Sequence, residues 1–459
     1  MKTRLAFGLL FWLCATAGWG QAVDTAGVSR EVDSLLQVSR GLRDKKQFDQ
    51  ALEVVVAAGK IALERFGRES AIYGRCSFNL GNVHHDIKGN HEEAEKWYFE
   101  AKSIQEKVLG KEHADYAKTV FNLAVLYDET VRYEKAEPLY LEAIDIREKV
   151  LGQGHADYMH AVGCLANLYS AMDEYKKAET VFLKLLHIQE RILGKNHPRY
   201  AFTLDDLAKI YMQLGDYEKS EAHYVEARGI LEKSIGKENL DYAKCLNMLA
   251  SLYRQMGKYD LSKSLSLESL TIKEKVIGKK HRSYISSLSN LGILYRLTGH
   301  LDSTERIQLE ASTLWKEAMG STHPIYAQSL RDLGDTYTLM GNYDFAEKYY
   351  AHAMIIIDST TGKISHFYSS LSSSLAILYS LKGDYAKAEY FYLEAIKIDA
   401  KIFGRDHDRS ALFLDALSDL YMSMGLYKKA EALITEAAES LGLFVKKNWA
   451  KNTWIMRVV

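Results

Sequence analysis

Histidine is the residue type in this sequence best suited to metal binding or proton transfer, and it recurs at a regular interval. His113 and His155 stand 42 residues apart, and the same register is kept by a longer set: His113, His155, His197, His281, His323 and His407. A shared ion needs its ligands within a few Å of one another. Copies that belong to successive structural repeats lie about 8–10 Å apart or more, as packed helices do. The spacing therefore argues against a metal site.

A structural role explains these histidines better. Each follows a glycine by three residues, as His197 follows Gly194. Pro198 and Pro324 come directly after their histidines, and proline is favoured at the first position of a helix. We therefore predict that the glycine ends one helix and the histidine begins the next.

The other residues that could do chemistry form no recognisable site. His84, His85 and His91 are the only local histidine cluster, and the two adjacent ones point to different sides of a helix. No phosphate-binding glycine loop, nucleophile elbow or paired-cysteine zinc pattern is present. Acidic pairs such as Glu92 and Glu93 are typical of a solvated helix face. We expect no metal, no cofactor and no catalysis.

Cysteine usage agrees with this expectation. The four cysteines are far apart in the sequence: Cys14, Cys76, Cys164 and Cys245. Such spacing does not suggest a disulfide framework, and we predict small buried or partly buried side chains.

Composition and charge narrow the class of protein further. The chain has 459 residues, of which 47% are apolar and 26% charged, the balance of a folded protein. Its formal net charge of −1 speaks against a general nucleic-acid binder, which needs a basic face. Only 3 prolines occur, which favours long uninterrupted helices.

An internal repeat organises the chain. Glycines recur every 42 residues: Gly110, Gly152, Gly194, Gly236, Gly278, Gly320, Gly362 and Gly404. Leucines keep the same step: Leu123, Leu165, Leu207, Leu249, Leu291, Leu333, Leu375 and Leu417. A small residue follows each leucine, and a tyrosine stands four positions after it, as Tyr127 does after Leu123. Such agreement over eight copies indicates a repeat architecture.

Spacing within one repeat predicts two helices. One face carries Tyr116, Val120, Leu123 and Tyr127, and a second face carries Tyr133, Ala136, Tyr140 and Ala143. Turn glycines such as Gly215 stand between the two segments in many copies, where a positive φ is needed. Each repeat is therefore a helical hairpin, and stacked neighbours must supply its core.

The pattern resembles the tetratricopeptide repeat family. The residues that carry the likeness are Leu123, Ala124, Tyr127, Ala136, Tyr140 and Ala143. The period of 42 and the segments 122–127, 133–137 and 151–155 look like the long-helix variety of kinesin light chains. The resemblance covers residues 28–442. It implies an all-α, right-handed superhelical solenoid of about ten antiparallel helical hairpins.

The resemblance also implies a binding groove lined by the first helix of each hairpin. Carried over position by position, it marks amide side chains that could pair with an extended peptide backbone: Asn79, Asn82, Asn122, Asn167 and Asn290. It also marks basic side chains that could hold acidic groups: Arg75, Lys118, Lys209 and Lys244. We expect a scaffold that binds a protein or an extended peptide. The alternative is the regulatory half of a system in which similar repeats precede a caspase-like protease domain.

The N-terminus predicts a secretory signal peptide over residues 1–20. Lys2 and Arg4 precede an apolar run, and small residues allow cleavage after Ala17 or after Gly20. We therefore expect export to the periplasm or the extracellular space, with no membrane span after cleavage. We expect residues 443–459 to form a tail or a capping segment, and the first repeat is degenerate in sequence.

Two repeats depart from the pattern in their second helices. Ser262, Ser266, Thr304 and Gln308 occupy positions that are held by alanine and an aromatic residue in other copies. Two outcomes remain open: looser packing there, or compensation by neighbouring leucines, namely Leu265, Leu267, Leu309 and Leu314.

Overall fold

A computed structural model describes residues 25–403 and 408–440. These residues form twenty α-helices and no strand. The proposed signal segment, His407 and residues 443–459 lie outside the described residues. In chain order the helices are α1 Thr25–Asp44, α2 Phe48–Phe66, α3 Ala71–Asp86, α4 His91–Leu109, α5 Ala114–Glu129, α6 Tyr133–Leu151, α7 Ala156–Ala171, α8 Tyr175–Leu193, α9 Pro198–Gln213, α10 Tyr217–Ser234, α11 Leu240–Gln255, α12 Tyr259–Ile277, α13 Arg282–Leu297, α14 Leu301–Met319, α15 Pro324–Leu339, α16 Tyr343–Thr360, α17 His366–Leu381, α18 Tyr385–Phe403, α19 Asp408–Ser423 and α20 Tyr427–Ser440.

The helices belong to two compact units, one ending at Gly215 and the other beginning at Asp216. In the first unit, α1 packs on α2, α3 on α4, α5 on α6 and α7 on α8, and each hairpin also contacts the next. The second unit repeats this from α11 with α12 to α19 with α20. The all-α hairpin architecture is confirmed. We call the odd-numbered helices first helices and the even-numbered ones second helices.

Histidine begins five of the first helices. His113, His155, His197, His281 and His323 have extended backbones, and the Nδ1 atom of each accepts the backbone N–H two residues later at 3.1 Å. This satisfies one of the backbone donors that a helix N-terminus leaves unpaired. Asn239 does the same at 2.7 Å in its copy. The structural role predicted for these histidines is confirmed.

Glycine is required where the chain turns. Gly110 ends α4 with φ of 82°, and Gly215 adopts φ of 76° in a turn between hairpin helices. The turn position of Gly215 is filled by Val131 in the copy between α5 and α6, and Val131 has φ of 59°. A β-branched residue is strained in this region. The predicted positive φ of the turn glycines is confirmed, and Lys46, Val131 and Asp173 adopt a positive φ at equivalent turns without being glycine.

The small residue that follows the repeat leucine allows the second helix to come close to the first helix. A Cβ atom added at Gly81 would lie 2.5 Å from Tyr98, and one added at Gly334 would lie 2.4 Å from Tyr350. Tyr98 and Tyr350 are fully buried. Their rings therefore occupy the space that the glycines leave open.

A ladder of tyrosine and glutamate side chains joins consecutive hairpins. The hydroxyl group of a first-helix tyrosine donates to a glutamate of the preceding second helix in six copies: Tyr127 to Glu95, Tyr169 to Glu137, Tyr253 to Glu221, Tyr337 to Glu305, Tyr379 to Glu347 and Tyr421 to Glu389, at 2.5–2.8 Å. Between α12 and α13 the glutamate is replaced by Lys263, whose ammonium group lies 4.9 Å from the ring centroid of Tyr295.

The two aberrant repeats pack polar groups into their cores. Ser262 and Thr304 are buried and bond to backbone carbonyl groups, and Gln308 accepts a hydrogen bond of 2.6 Å from Thr336. A small cavity of about 70 Å³ lies beside Ser262 and Ser266. Of the leucines that could compensate, Leu265 is buried and Leu314 packs against the core, whereas Leu267 and Leu309 are exposed. Two of the four leucines therefore compensate for the polar residues in the cores of these repeats, and the other two do not.

Candidate functional site

Three positions on each first helix from α5 to α17 form an accessible side of that helix. In α5 they are Lys118, Asn122 and Val125, spaced so that all three share one side of the helix. The equivalent positions lie one to six periods of 42 further along the chain, and all of them are exposed or partly exposed from α5 to α17. Buried leucine and small residues lie between them and fix their directions. We call this set the first-helix face.

The first cavity next to this face has a volume of about 320 Å³ and lies among α1, α3, α4 and α5. Arg75, Asn79 and Lys118 line it. The Arg75 guanidinium is 3.0 Å from Asp33, and the Lys118 ammonium lies 5.2 Å from the ring centroid of Phe78. Asn79 is only 8% exposed and donates to the backbone oxygen of Arg75 at 2.8 Å. Its amide is therefore already engaged within α3.

Two other predicted amides bond to each other. Asn82 is 7% exposed, and its Oδ1 accepts hydrogen bonds from Tyr98 at 2.9 Å and from Asn122 Nδ2 at 2.7 Å. Tyr98 reaches this oxygen beside the small residue Gly81. Asn82 and Asn122 thus connect α3 with α5.

Asn167 is exposed and lines the second cavity, which has a volume of about 430 Å³ and lies among α7, α8 and α9. His160 and Cys164 lie in the same cavity, with Nε2 and Sγ 3.7 Å apart. Burial lowers the pKa of His160, and the Arg147 guanidinium lowers it further. Burial raises the pKa of the Cys164 thiol to about 11. The pair is therefore a neutral imidazole and a neutral thiol at pH 7, without the thiolate that nucleophilic catalysis needs.

The remaining predicted residues are spread over later helices. Lys209 lies between Asp206 at 2.8 Å and Asp205 at 3.2 Å; although burial lowers the pKa of Lys209, these carboxylates hold it above its usual value. Lys244 is exposed and pairs with Asp241 at 2.7 Å. Asn290 is exposed and lines the small cavity beside Ser266. The structure thus brings the predicted residues together only in small groups.

The sequence matches a known family along most of its length. The family model for the tetratricopeptide repeat matches residues 87–149, 157–233, 203–275, 241–303, 285–356 and 368–441. The chain belongs to the tetratricopeptide repeat family. No curated protein sequence matches the chain significantly.

Solved tetratricopeptide-like structures resemble it at low sequence identity. One holds nearly identical repeats of a protein described as a kinesin light chain from Podosopora anserina. It is 22% identical, and the match covers 45% of this chain and 96% of that chain with a TM-score of 0.42. BtubC from P. vanneervenii is 21% identical, and the match covers 50% of this chain and 90% of BtubC with a TM-score of 0.41. The apo form of the quorum sensor NprR from B. thuringiensis is 13% identical, and the match covers 71% of this chain and 87% of NprR with a TM-score of 0.53. This last likeness shows the same repeat fold.

Among residues 25–403 and 408–440, no group of three or more histidine, cysteine, aspartate or glutamate side chains could hold a metal ion. His85 instead contacts Glu129 at 2.8 Å and Tyr98 at 3.3 Å. No helix in the described part of the chain has the length and apolar character needed to cross a bilayer.

Sequence reasoning missed two features of these hairpins. The first is the ladder, although its glutamates recur at multiples of 42 residues and could have been read from the sequence: Glu95, Glu137, Glu221, Glu305, Glu347 and Glu389. The second is the cavity beside Asn167. Gly163 lies on its wall, at a position that Phe121 fills one copy earlier, and this loss of a large residue was a readable signal.

Proposed function

We propose that this chain is an exported interaction scaffold that binds a segment of another protein, or a peptide, on its first-helix face. The observation that carries the proposal is the character of that face. Accessible amide, hydroxyl and charged side chains recur on every first helix from α5 to α17, and cavities of about 320 and 430 Å³ lie beside them.

The chemistry of the face suits an extended chain more than a small metabolite. Exposed amides such as Asn167 and Asn290 both donate and accept hydrogen bonds, so they can pair with a peptide backbone whatever its side chains are. Asn79 and Asn82 are buried and already bonded, so they contribute by shaping α3 and α5. The hairpins are preformed, and the partner alone bears most of the ordering cost.

The same face gives no support for catalysis or for nucleic-acid binding. The Cys164 thiol is held neutral, and the lysines at Lys209 and Lys244 are paired with aspartates. The net charge of −1 supplies no excess of basic groups for phosphates. The proposal is therefore a scaffold that binds protein.

A peptide selection tests the proposed function. The purified chain is used to select from a library of random twelve-residue peptides, and the enriched peptides are measured by calorimetry. We expect Asn167→Arg and Asn290→Arg to weaken binding about ten-fold or more, since each places a bulky charge on the first-helix face.

Matched controls lie on the second helices of the same repeats. Thr180 in α8 and Thr313 in α14 are exposed and bond only to backbone oxygens of their own helices. Thr180→Arg and Thr313→Arg should leave binding unchanged. If both pairs of variants weaken binding equally, or if no peptide is enriched, the proposed function is wrong.

Export is the second part of the proposal, supported by the basic and apolar pattern before Ala17. The full chain should be recovered outside the cytoplasm of its host, with a new N-terminus after Ala17 or after Gly20. N-terminal sequencing of the recovered protein checks this. Recovery of the chain only in the cytoplasmic fraction, with Met1 or Lys2 at its start, would contradict it.

A further inference from the structure

One register position changes from a large aromatic residue to glycine in the middle of the first unit. Phe78 in α3 and Phe121 in α5 occupy it in successive copies, and Gly163 occupies it in α7. Phe121 is 6% exposed. The next two copies carry polar residues, so the chain uses a phenyl ring at this position only in the copies just before Gly163.

Three side chains surround the ring of Phe121. The Arg147 guanidinium carbon lies 4.2 Å from the ring centroid. The rings of Tyr140 and His160 have centroids at 5.6 Å and 5.3 Å. These three side chains therefore form a pocket that holds one aromatic ring, that of Phe121.

The same pocket recurs 42 residues later, where Gly163 replaces Phe121 and supplies no ring. The equivalents of Tyr140, Arg147 and His160 are Phe182, Gln189 and Phe202, and all three line the cavity of about 430 Å³ beside Gly163. Phe202 is 38% exposed, so one wall of the cavity is open to solvent.

Gln189 has an unused hydrogen-bond acceptor in this cavity. It is 4% exposed, and its Oε1 atom has no hydrogen-bond partner. The equivalent Gln105 accepts a bond of 2.7 Å from Thr119. Thr203 takes the place of Thr119 here, but it donates to the backbone oxygen of Arg199 at 3.2 Å. A buried acceptor without a donor is costly.

We infer that the cavity beside Gly163 receives a phenylalanine or tyrosine side chain from the bound segment. This inference rests on the proposed function and names a specificity pocket on the first-helix face. The guest ring takes the place that Phe121 holds one copy earlier, between Phe182 and Phe202. An N–H or O–H group of the guest donates to Gln189 Oε1.

The chain itself suggests the variants for the test. Gly163→Phe supplies the ring that this position carries in the two preceding copies, and it should close the pocket. Gly163→Ala is the matched control, because an added Cβ atom meets only Leu185 Cδ2, at 3.6 Å, an ordinary contact. Should Gly163→Phe fail to fold, Phe202→Ser removes a half-exposed wall of the pocket instead.

The probes are capped pentapeptides of glycine with tyrosine, phenylalanine or leucine at the centre. We expect the tyrosine and phenylalanine probes to bind the wild type and Gly163→Ala about five- to ten-fold more tightly than the leucine probe. Gly163→Phe and Phe202→Ser should lose that preference. Binding is measured by ligand-observed NMR, and thermal melting confirms that each variant is folded.

The outcomes separate this inference from the function on which it rests. Equal binding of the tyrosine and leucine probes, or tyrosine binding by folded Gly163→Phe as tight as by Gly163→Ala, overturns the pocket. If selected twelve-residue peptides still bind the first-helix face in that case, the proposed function stands alone. If no twelve-residue peptide is enriched and the tyrosine probe does not bind either, the proposed function fails and the pocket fails with it.

Discussion

The hydroxyl group of Tyr127 in α5 donates a hydrogen bond of 2.6 Å to Glu95 Oε1 in α4, which joins one hairpin to the next. Arg132 completes the contact, because it bonds Glu95 Oε2 at 2.6 Å and its guanidinium carbon lies 4.5 Å from the Tyr127 ring centroid. The two groups hold the pKa of Glu95 below its usual value, although burial raises it. The carboxylate therefore stays ionised as the strong acceptor of this bond.

Replacing Tyr127 by phenylalanine should loosen the junction between α4 and α5. A hydrogen bond to a charged group contributes about 1.5–3 kcal/mol, and Arg132 retains part of the contact, so we expect a loss of about 1–2 kcal/mol. Hydrogen exchange of the α5 amides measures this locally, which suits a repeat protein. The control is Tyr295→Phe, because Tyr295 faces Lys263 and not a glutamate. Equal losses in the two variants would show that the ladder bond is not the cause.

Lys273 should make stability depend on pH in the alkaline range. It is 3% exposed, its ammonium donates to Ser287 Oγ at 2.6 Å, and burial, with a smaller effect of Lys244, lowers its pKa to about 8. Between about pH 8 and the usual lysine value of about 10.5 the unfolded chain binds more protons, so this residue makes stability rise with pH in that window.

Lys273→Met should therefore stabilise α12 and α13 at pH 7 and remove that rise. The gain at pH 7 should be on the order of 2 kcal/mol, since each pKa unit corresponds to about 1.4 kcal/mol. Urea titrations at pH 7 and pH 9.5 check both effects. The exposed Lys244, changed to methionine, serves as control and should give a much smaller gain. A variant at Lys273 that is less stable than wild type at pH 7 would contradict the account.

A glycine within a first helix should be indispensable where a tyrosine ring lies against it, as at Gly334. In Gly334→Ala the new Cβ atom would lie 2.4 Å from Tyr350, which must then leave its bond of 2.7 Å to Asp335. Overpacking of this kind costs about 1–3 kcal/mol. Gly163→Ala meets no such atom and should stabilise α7 by up to about 1 kcal/mol, from helix propensity. Thermal melting of the two variants compares them directly, and opposite shifts are expected.

Replacing Val131 by glycine should stabilise the protein. Its φ of 59° lies where seven other copies of the turn carry glycine, and a non-glycine residue in the left-handed region costs about 1–2 kcal/mol. Val131 is 69% exposed, so little packing is lost. Val131→Gly should therefore raise the melting temperature, whereas Val131→Ala should not. A lower melting temperature for the glycine variant would count against strain at this turn.

Histidine caps should be replaceable by asparagine but not by alanine. His281 Nδ1 accepts the Ser283 backbone N–H at 3.1 Å, and Asn239 makes the equivalent bond one copy earlier. Loss of an N-cap costs about 1 kcal/mol. His281→Ala should speed hydrogen exchange at the start of α13, and His281→Asn should leave it close to wild type. If asparagine behaves like alanine, the cap is not what histidine contributes.

The helices and their turns could be predicted from the sequence because their causes are local. The cap at His197 needs only the next two residues, and the turn at Gly215 needs only a residue that tolerates positive φ. The period of 42 then places the same causes in every copy. The strained Val131 was missed because its neighbours impose the turn against its own preference.

The candidate site could be predicted only as a face. The register placed Asn167 and Asn290 on accessible sides of their helices, where the structure also has them. It could not tell that Asn79 bonds within α3 or that Asn82 is shared by Tyr98 and Asn122. These bonds depend on atoms from other turns and other helices.

The order of residues alone therefore decided that the chain folds as helical hairpins in register, because caps, turns and apolar stripes act over a few neighbouring positions. Tertiary packing decided which side chains of the first-helix face remain available. Gly81 lets Tyr98 reach Asn82 and engage it, whereas Gln189 Oε1, in the wall of the cavity beside Gly163, has no hydrogen-bond partner. A hydrogen bond forms only when its two heavy atoms come within about 3 Å. That distance is set by the volumes of the side chains packed between helices.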